Sequence, residues 1–201
     1  MLRPLLLFAH GAGVSSSHPW MQGWAARLSE LGDVSPFDYP YAQAGRKSPD
    51  RLEKLVAAHR EALQRARGRS RRPVVLVGKS LGARVGCHVA LEEPVTALVC
   101  FGYPLRGTTQ RAELRDEVLR QLKIPILFIQ GSRDSLCPVD VLQRVRRKMN
   151  AYNELLLVEG GNHSLQVAQA VLHAAGDTQP DVDARILTAT RNFLTRVLGA
   201  A

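Results

Sequence analysis

The sequence predicts an α/β fold, a doubly wound and mostly parallel sheet of about six strands. Short runs rich in Val, Ile, Leu and Phe recur along the chain, apolar at successive positions as in strands buried on both faces. Helix-like stretches separate these runs, which implies βαβ crossovers. The length of 201 residues, with 45% hydrophobic and 22% charged residues, fits a single domain over residues 1–201 with a buried core.

Five apolar segments are the predicted strands, and a sixth is weaker. The five are residues 4–9, 73–77, 95–101, 125–129 and 154–158, and the weaker one is 34–39. Five helices are predicted between and after them, at residues 19–31, 49–67, 80–91, 139–150 and 183–198. A short helix near 113–122 is expected in the connection of about two dozen residues after Phe101, which leaves no room for a lid domain.

Each helix is predicted from its apolar spacing or from its end signals. The first begins with Pro19 at a plausible first helical position and stops at Gly32. The second places Leu55, His59 and Leu63 on one face through their spacing of four residues.

Composition excludes several classes of protein. The longest apolar runs, such as residues 5–9, fall far short of the ~18 residues of a membrane span, and the same run is too short for a secretory signal. Three cysteines without metal-ligand spacing predict a reducing, cytoplasmic location and no metal. The net charge of +9 is compatible with a protein that binds polyanions. The densest basic segment has five arginines within residues 65–72, and we interpret it as a solvated linker rather than a polyanion-binding site.

A nucleophile motif follows the predicted strand at 73–77. The segment Gly78-Lys-Ser-Leu-Gly82 runs directly into a predicted helix. Glycines permit a sharp turn that lifts the Ser80 hydroxyl above the strand end, and the helix N-terminus favours developing negative charge. This strand–turn–helix context favours a catalytic serine over a structural serine in a tight turn.

Two later loops offer the acid and the base that such a serine needs. Asp134 lies just beyond one apolar strand, and His163 lies on a glycine-rich loop after the next. Parallel strands share a carboxyl edge, so the three side chains could converge there in the order Ser, Asp, His. Alternatively, Asp134 is a turn residue, although Asp140 is the better helix cap, and His163 is a solvated loop histidine.

The loop after the first strand supplies candidate donors for an oxyanion. It reads His10-Gly-Ala-Gly13, and its small residues let backbone N–H groups approach a substrate. We predict an oxyanion hole made by the backbone amides of Leu81 and Ala12. The alternative is a plain glycine turn.

With these elements the chain resembles an α/β-hydrolase from end to end, and more narrowly the small, lidless bacterial proteins related to dienelactone hydrolases. The segments Phe37-Asp-Tyr-Pro-Tyr41 and Gly45-Arg-Lys-Ser-Pro-Asp50 look characteristic of that subgroup. The resemblance implies a Ser–Asp–His hydrolase without fixing its substrate. Dienelactone hydrolases proper use a cysteine nucleophile, so Ser80 is a departure from them.

The predicted function is that of a serine hydrolase cleaving a small or accessible carboxylic ester or thioester, without metal or organic cofactor, as a monomer or homodimer. The expected substrate-binding residues are His10, Gly11, Tyr39, Tyr41, Lys79 and Tyr103. Lys79 is interpreted either as a solvated side chain at the sheet edge or as an attractor of anionic substrates, together with Arg84, Arg46 or Arg133. Two other classes stay open: a non-catalytic interaction module of the same fold and a polyanion binder.

Overall fold

Six strands form one sheet in which every neighbouring pair is parallel, as the sequence predicts. The computed structural model describes residues 3–107 and 113–199. The strand order is β2-β1-β3-β4-β5-β6. The strands are β1 (Leu5–Ala9), β2 (Asp33–Phe37), β3 (Val74–Lys79), β4 (Ala97–Phe101), β5 (Ile126–Gly131) and β6 (Asn153–Val158).

The register of the sheet aligns the carboxyl ends of its strands. Ala9 pairs with Gly78, and Lys79 pairs with Phe101. On the opposite side of the sheet, Gly131 at the carboxyl end of β5 pairs with Val158 at the carboxyl end of β6. The loops that leave β1, β3, β5 and β6 therefore start from one edge, where ligands of open parallel sheets bind.

Eight helices connect or follow the strands in the described part of the chain. They are α1 (Pro19–Leu28), α2 (Pro40–Gln43), α3 (Leu52–Arg67), α4 (Leu81–Val89), α5 (Glu117–Gln121), α6 (Val139–Arg146), α7 (Gln169–Ala174) and α8 (Gln179–Gly199). Within the described residues, the connection from β4 to β5 holds one five-residue helix, α5, and no inserted domain.

The sheet separates two hydrophobic cores, which is what a doubly wound fold requires. Leu5 and Leu7 of β1 face the core shared with α3, α4, α5 and α6. Leu6 and Phe8 of the same strand face the core shared with α1, α7 and α8. Successive side chains of a strand point to opposite faces, so both alternating sets are apolar in a strand covered on both sides.

Several predicted helix boundaries differ from the observed ones. The helices predicted to end at residues 31 and 150 end at Leu28 and Arg146. Tight turns follow both ends, with bonds from Leu31 N to Leu28 O and from Met149 N to Arg146 O, so the chain leaves the helix axis earlier. Strand β3, by contrast, is longer than predicted at its carboxyl end. It ends at Lys79 rather than at residue 77, because Gly78 and Lys79 still pair with β4.

The last helix begins at Gln179, four residues before the predicted start at 183. Thr178 and Asp181 form a reciprocal pair of hydrogen bonds at its entrance: Asp181 N–H donates to Thr178 Oγ1 (3.3 Å), and Thr178 N–H donates to Asp181 Oδ2 (3.0 Å). This arrangement satisfies amides that have no partner inside the helix. The start of α8 is therefore marked by Thr178 and Asp181, two capping residues three positions apart, and not by apolar periodicity.

We expect Thr178→Ala to lower the free energy of unfolding by about 1 kcal/mol, because it removes the side-chain acceptor at the entrance of α8. Urea denaturation followed by circular dichroism measures the loss. Thr178→Ser keeps the hydroxyl and should restore most of it. Equal stability of the Ala variant and the wild type would contradict the helix start at Gln179.

No helix within residues 3–107 and 113–199 has the length and apolar character to span a membrane. The three cysteines, Cys87, Cys100 and Cys137, are free and buried.

Candidate active site

Ser80 lies in a strained turn between β3 and α4. Its backbone has φ 51° and ψ −110°, a region that side-chain-bearing residues rarely adopt and that clusters at functional sites. The two flanking glycines allow this turn through close packing. A Cβ on Gly78 would lie 2.2 Å from Ala83 N, and a Cβ on Gly82 would lie 2.4 Å from Ala9 O.

The structure brings Ser80, His163 and Asp134 into one chain of hydrogen bonds. Ser80 Oγ lies 2.8 Å from His163 Nε2. On the other side of the imidazole ring, His163 Nδ1 lies 2.7 Å from Asp134 Oδ2. Two of the three side chains come from loops after β5 and β6, so the convergence expected at the carboxyl edge is observed. The arrangement can pass the hydroxyl proton of Ser80 to a positioned base.

Asp134 is buried, at 3% exposure, yet it is held as a carboxylate. Burial alone would raise its pKa, but hydrogen bonds from His163, Leu136 N–H and Gln130 outweigh that effect, and the pKa lies below its usual value. Leu136 N–H donates to Oδ1 over 2.9 Å, and Gln130 Nε2 donates to Oδ2 over 2.6 Å. Gln130 was not among the residues predicted from the sequence, where its signal is a polar residue near the end of an otherwise apolar strand.

The loop that carries His163 is fixed from three sides. A Cβ on Gly131 would lie 2.2 Å from Gly161 O, so the acid loop and the histidine loop touch through backbone atoms. A Cβ on Gly102, at the end of β4, would lie 2.7 Å from His163 O. Trp20 Nε1 donates to Ser164 O over 3.0 Å. These contacts set the height of the imidazole ring above the sheet.

The loop after β1 lies directly beside Ser80. A Cβ on Gly11 would lie 3.6 Å from Ser80 Cβ, and Ala12 lines the same cavity as Ser80 and Leu81. Among the described residues, the backbone N–H groups of Ala12 and Leu81 donate to no other protein atom. Leu81 is the first residue of α4, where helix geometry leaves the amide without an internal partner.

His10, the first residue of this loop, is fully buried. Its Nδ1 lies 2.7 Å from Gly11 O, and Tyr39 N–H donates to its Nε2 over 3.2 Å. A neutral ring protonated at Nδ1 satisfies both contacts, and burial lowers the pKa of His10 in agreement. Both ring nitrogens of His10 are thus occupied by the protein.

The three tyrosines expected to bind substrate are also fully buried. Tyr41 donates to Gly11 O over 3.3 Å, and burial raises its pKa to about 12. Tyr39 bonds to His59 Nδ1 at 3.1 Å, and Tyr103 donates to Arg115 O over 2.8 Å. All three hydroxyl groups are engaged by protein atoms. All three tyrosines lie in the hydrophobic core, because their large apolar rings are stabilised by burial there.

A cavity of about 340 Å³ adjoins Ser80. It is lined by residues of the connections after β1, β2, β3, β4 and β5 and of α3 and α4: Ala12, Pro49, Asp50, Leu52, Leu55, Ser80, Leu81, Arg84, Pro104, Arg106, Arg115 and Leu136. Of the residues expected to bind substrate or the oxyanion, Ala12 and Leu81 belong to this lining. Arg106 and Arg115 were missed in the sequence because nothing local marks them as site residues.

Lys79 is not the solvated side chain that the sequence favoured. It is 8% exposed, its Nζ donates to His163 O over 2.5 Å, and Nζ lies 5.6 Å from the centre of the Trp20 ring. Burial lowers its pKa to about 8. Strand β3 continues through Lys79, so its side chain points across the sheet edge toward the histidine loop rather than into water.

The described residues contain no group of three or more His, Cys, Asp or Glu side chains arranged to hold a metal ion. What the site offers chemically is a serine hydroxyl, a hydrogen-bonded imidazole–carboxylate pair and two free backbone amides.

The family of the chain follows from comparison with known proteins. Residues 2–195 match the family model described as alpha/beta hydrolase domain, and the chain belongs to that family. The fold is similar to that of a dienelactone hydrolase from Anabaena variabilis, with a TM-score of 0.73 and 18% identity over 97% of this chain and 87% of that one.

Two esterase structures are also similar in fold. Est1E from Butyrivibrio proteoclasticus, solved with ferulic acid bound, has a TM-score of 0.68 and 14% identity over 98% of this chain and 90% of that one. The esterase domain of a Rhodothermus marinus protein has a TM-score of 0.67 and 18% identity over 96% of this chain and 86% of that one.

The buried Lys79 predicts a pH-dependent stability. Its pKa is about 8 in the folded chain and 10.5 when unperturbed, so between these values the unfolded state binds more protons and stability rises with pH. Relative to Lys79→Met, the wild type should gain about 3 kcal/mol of unfolding free energy across that interval. Urea denaturation of both proteins at pH 7.5, 9 and 10 measures the difference.

Lys123→Met, at an exposed lysine, is the matched control and should follow the wild type at each pH. Parallel stability curves for the wild type and Lys79→Met would show that Lys79 titrates as an ordinary surface lysine.

Proposed function

We propose that this protein is a serine hydrolase that cleaves small or accessible carboxylic esters or thioesters. The observation that carries the proposal is the unbroken chain from Ser80 Oγ through the His163 ring to Asp134, with contacts of 2.8 and 2.7 Å. Family membership and the esterase-like folds agree with it. Free cysteines support the expected cytoplasmic location.

In the first half of the reaction, Ser80 Oγ attacks the carbonyl carbon while His163 Nε2 takes the hydroxyl proton. Asp134 accepts from Nδ1–H and stabilises the imidazolium that forms. The carbonyl π electrons move to the oxygen, and the backbone amides of Ala12 and Leu81 hold the resulting oxyanion. When the tetrahedral intermediate collapses, the bond to the leaving group breaks and His163 returns the proton to the departing oxygen or sulfur.

In the second half, water hydrolyses the acyl-enzyme. His163 takes a proton from the water, whose oxygen attacks the acyl carbon, and a second tetrahedral intermediate forms. Its collapse breaks the bond to Ser80 Oγ, which regains its proton from His163. The products are a carboxylic acid and an alcohol or thiol, and each step uses only protein groups and water.

The dimensions of the site favour a small acyl group. The cavity beside Ser80 holds about 340 Å³, at the small end of ligand pockets. A dienelactone hydrolase and an esterase solved with ferulic acid share the fold, and both names denote compact ester substrates or products. We therefore propose short-chain esters ahead of long lipid chains.

The interaction-module alternative is weakened by the strain at Ser80. A residue held at φ 51° costs of order 1–3 kcal/mol and persists where function requires it. A scaffold that had lost turnover would gain stability by relaxing this turn. The polyanion-binder alternative rests on net charge alone.

We expect a fluorophosphonate probe to label the wild type and to leave Ser80→Ala unlabelled, because the probe reacts with an activated serine. Turnover of 4-nitrophenyl acetate and butyrate should fall in the variant by roughly 10⁴-fold or more. Ser48→Ala, at an exposed serine, is the matched control and should keep both. A folded wild type with neither labelling nor turnover across short and long acyl esters would leave the interaction module as the function.

Asp134→Asn should keep the fold and lower kcat by roughly 10⁴-fold, because the amide stabilises the wrong imidazole tautomer and cannot stabilise the imidazolium. Steady-state kinetics with 4-nitrophenyl butyrate measures the loss. Asp140→Asn, on the exposed start of α6, is the control and should change kcat less than twofold. A small effect of Asp134→Asn would mean that another acid serves His163.

A further inference from the structure

We propose that the substrate of this site carries an oxyanion substituent, a carboxylate or a phosphate, bound beside the nucleophile by Arg84, Arg106 and Arg115. This inference rests on the proposed hydrolase function and adds the charge of the substrate to it. All three arginines line the cavity that contains Ser80 and Leu81. A guanidinium group is planar and offers paired donors that match the oxygens of carboxylate and phosphate.

The positive charge of this cavity is not neutralised by the protein. Among residues 3–107 and 113–199, no carboxylate lies within ion-pair distance of Arg84, Arg106 or Arg115. Asp50 is the one acid in the lining. Its Oδ1 is engaged by Arg46 at 2.8 Å and by Lys54 at 3.3 Å, whereas its Oδ2 is buried without a hydrogen-bond partner among the described residues.

Acidic residues do lie near two of these arginines. Glu113 and Glu117 line an adjacent cleft that also includes Arg84 and Arg115. Neither glutamate forms an ion pair with them in the described structure. Among the described residues, no carboxylate is therefore within ion-pair distance to compete with a ligand for these arginines.

Arg84 is placed where a cation is least favourable without an anion nearby. It lies in the first turn of α4, where the helix dipole opposes positive charge. Its Nε is buried and has no hydrogen-bond partner in the described part of the chain. Burial, with the neighbouring Arg115 guanidinium, holds the pKa of Arg84 below its usual value, although the group stays charged at neutral pH.

A bound oxyanion would relieve the electrostatic part of these costs. It would offset the repulsion between Arg84 and Arg115 and accept hydrogen bonds from guanidinium groups that border the cavity. The size of the cavity, about 340 Å³, limits the distance between the anionic group of the substrate and its reacting carbonyl group. We therefore expect the two groups to be separated by only a few carbon atoms. Monoesters and monothioesters of short dicarboxylic acids, or short acyl compounds with a phosphate, have this shape.

Two pairs of substrates test the proposal and locate the anion. The first pair is 4-nitrophenyl hydrogen glutarate against 4-nitrophenyl butyrate, which places the charge on the acyl group. The second is 4-acetoxybenzoate against its methyl ester, which places the charge on the leaving group. In at least one pair, kcat/KM for the anionic member should fall by roughly 10- to 100-fold in Arg84→Gln and Arg115→Gln. The neutral member should change less than threefold.

Arg133→Gln is the matched control. Arg133 is exposed and adjoins Asp134 in sequence, but it lies outside the cavity lining. Its removal lowers net charge by the same amount and should leave the anionic-to-neutral ratio within threefold of the wild type at 0.15 M salt. If Arg133→Gln lowers the ratio as much as Arg84→Gln does, general attraction by net charge replaces the proposed subsite.

Labelling by the fluorophosphonate probe separates this inference from the proposed function. If the wild type is labelled and hydrolyses neutral esters but the arginine variants keep the wild-type ratio in both pairs, the oxyanion subsite is wrong and the hydrolase stands. If labelling is absent, calorimetric titration with glutarate and with inorganic phosphate decides. Binding that is lost in both Arg84→Gln and Arg115→Gln keeps the subsite and identifies the anion, and the absence of binding overturns it.

Discussion

The buried carboxylate of Asp134 is the constraint on which the site depends. A negative charge at 3% exposure is tolerated only when charged or hydrogen-bonding partners surround it. Gln130 from the end of β5, Leu136 N–H from its own loop and His163 from the loop after β6 all donate to it. Satisfying this one group therefore ties two strand ends together and turns His163 toward Ser80.

Close backbone contacts make that arrangement rigid. Gly131 allows the acid loop to touch the histidine loop, and Gly102 leaves room for the His163 carbonyl. The same carbonyl accepts from the buried Lys79, beside the Trp20 ring. Lys79 thus holds the backbone of His163, while Arg84, Arg106 and Arg115 line the cavity that contains Ser80. The positive charges near Ser80 therefore lie in two environments, because Lys79 is buried against the His163 loop and the three arginines border the cavity.

Much of the fold and of the arrangement of Ser80, Asp134 and His163 could be predicted because the relevant signals are local. Apolar runs marked all six strands, and Gly78-Lys-Ser-Leu-Gly82 marked the turn. The substrate-binding predictions fared differently. Tyr39 caps α2, Tyr41 lies within α2 and Tyr103 follows β4, and all three are buried with engaged hydroxyl groups. The sequence shows where a tyrosine lies along the chain, but it does not show whether its ring packs into the core or faces the cavity.

The sequence by itself determined the parallel sheet and the order of Ser80, Asp134 and His163 along its carboxyl edge. Both follow from short-range patterns, apolar runs and turn chemistry, that need no knowledge of distant residues. Only the tertiary structure decided that Lys79 is buried and that Arg84, Arg106 and Arg115 share one cavity. Burial and electrostatic environment arise from residues far apart in the chain, and no local pattern encodes which of the 27 lysines and arginines will meet beside Ser80.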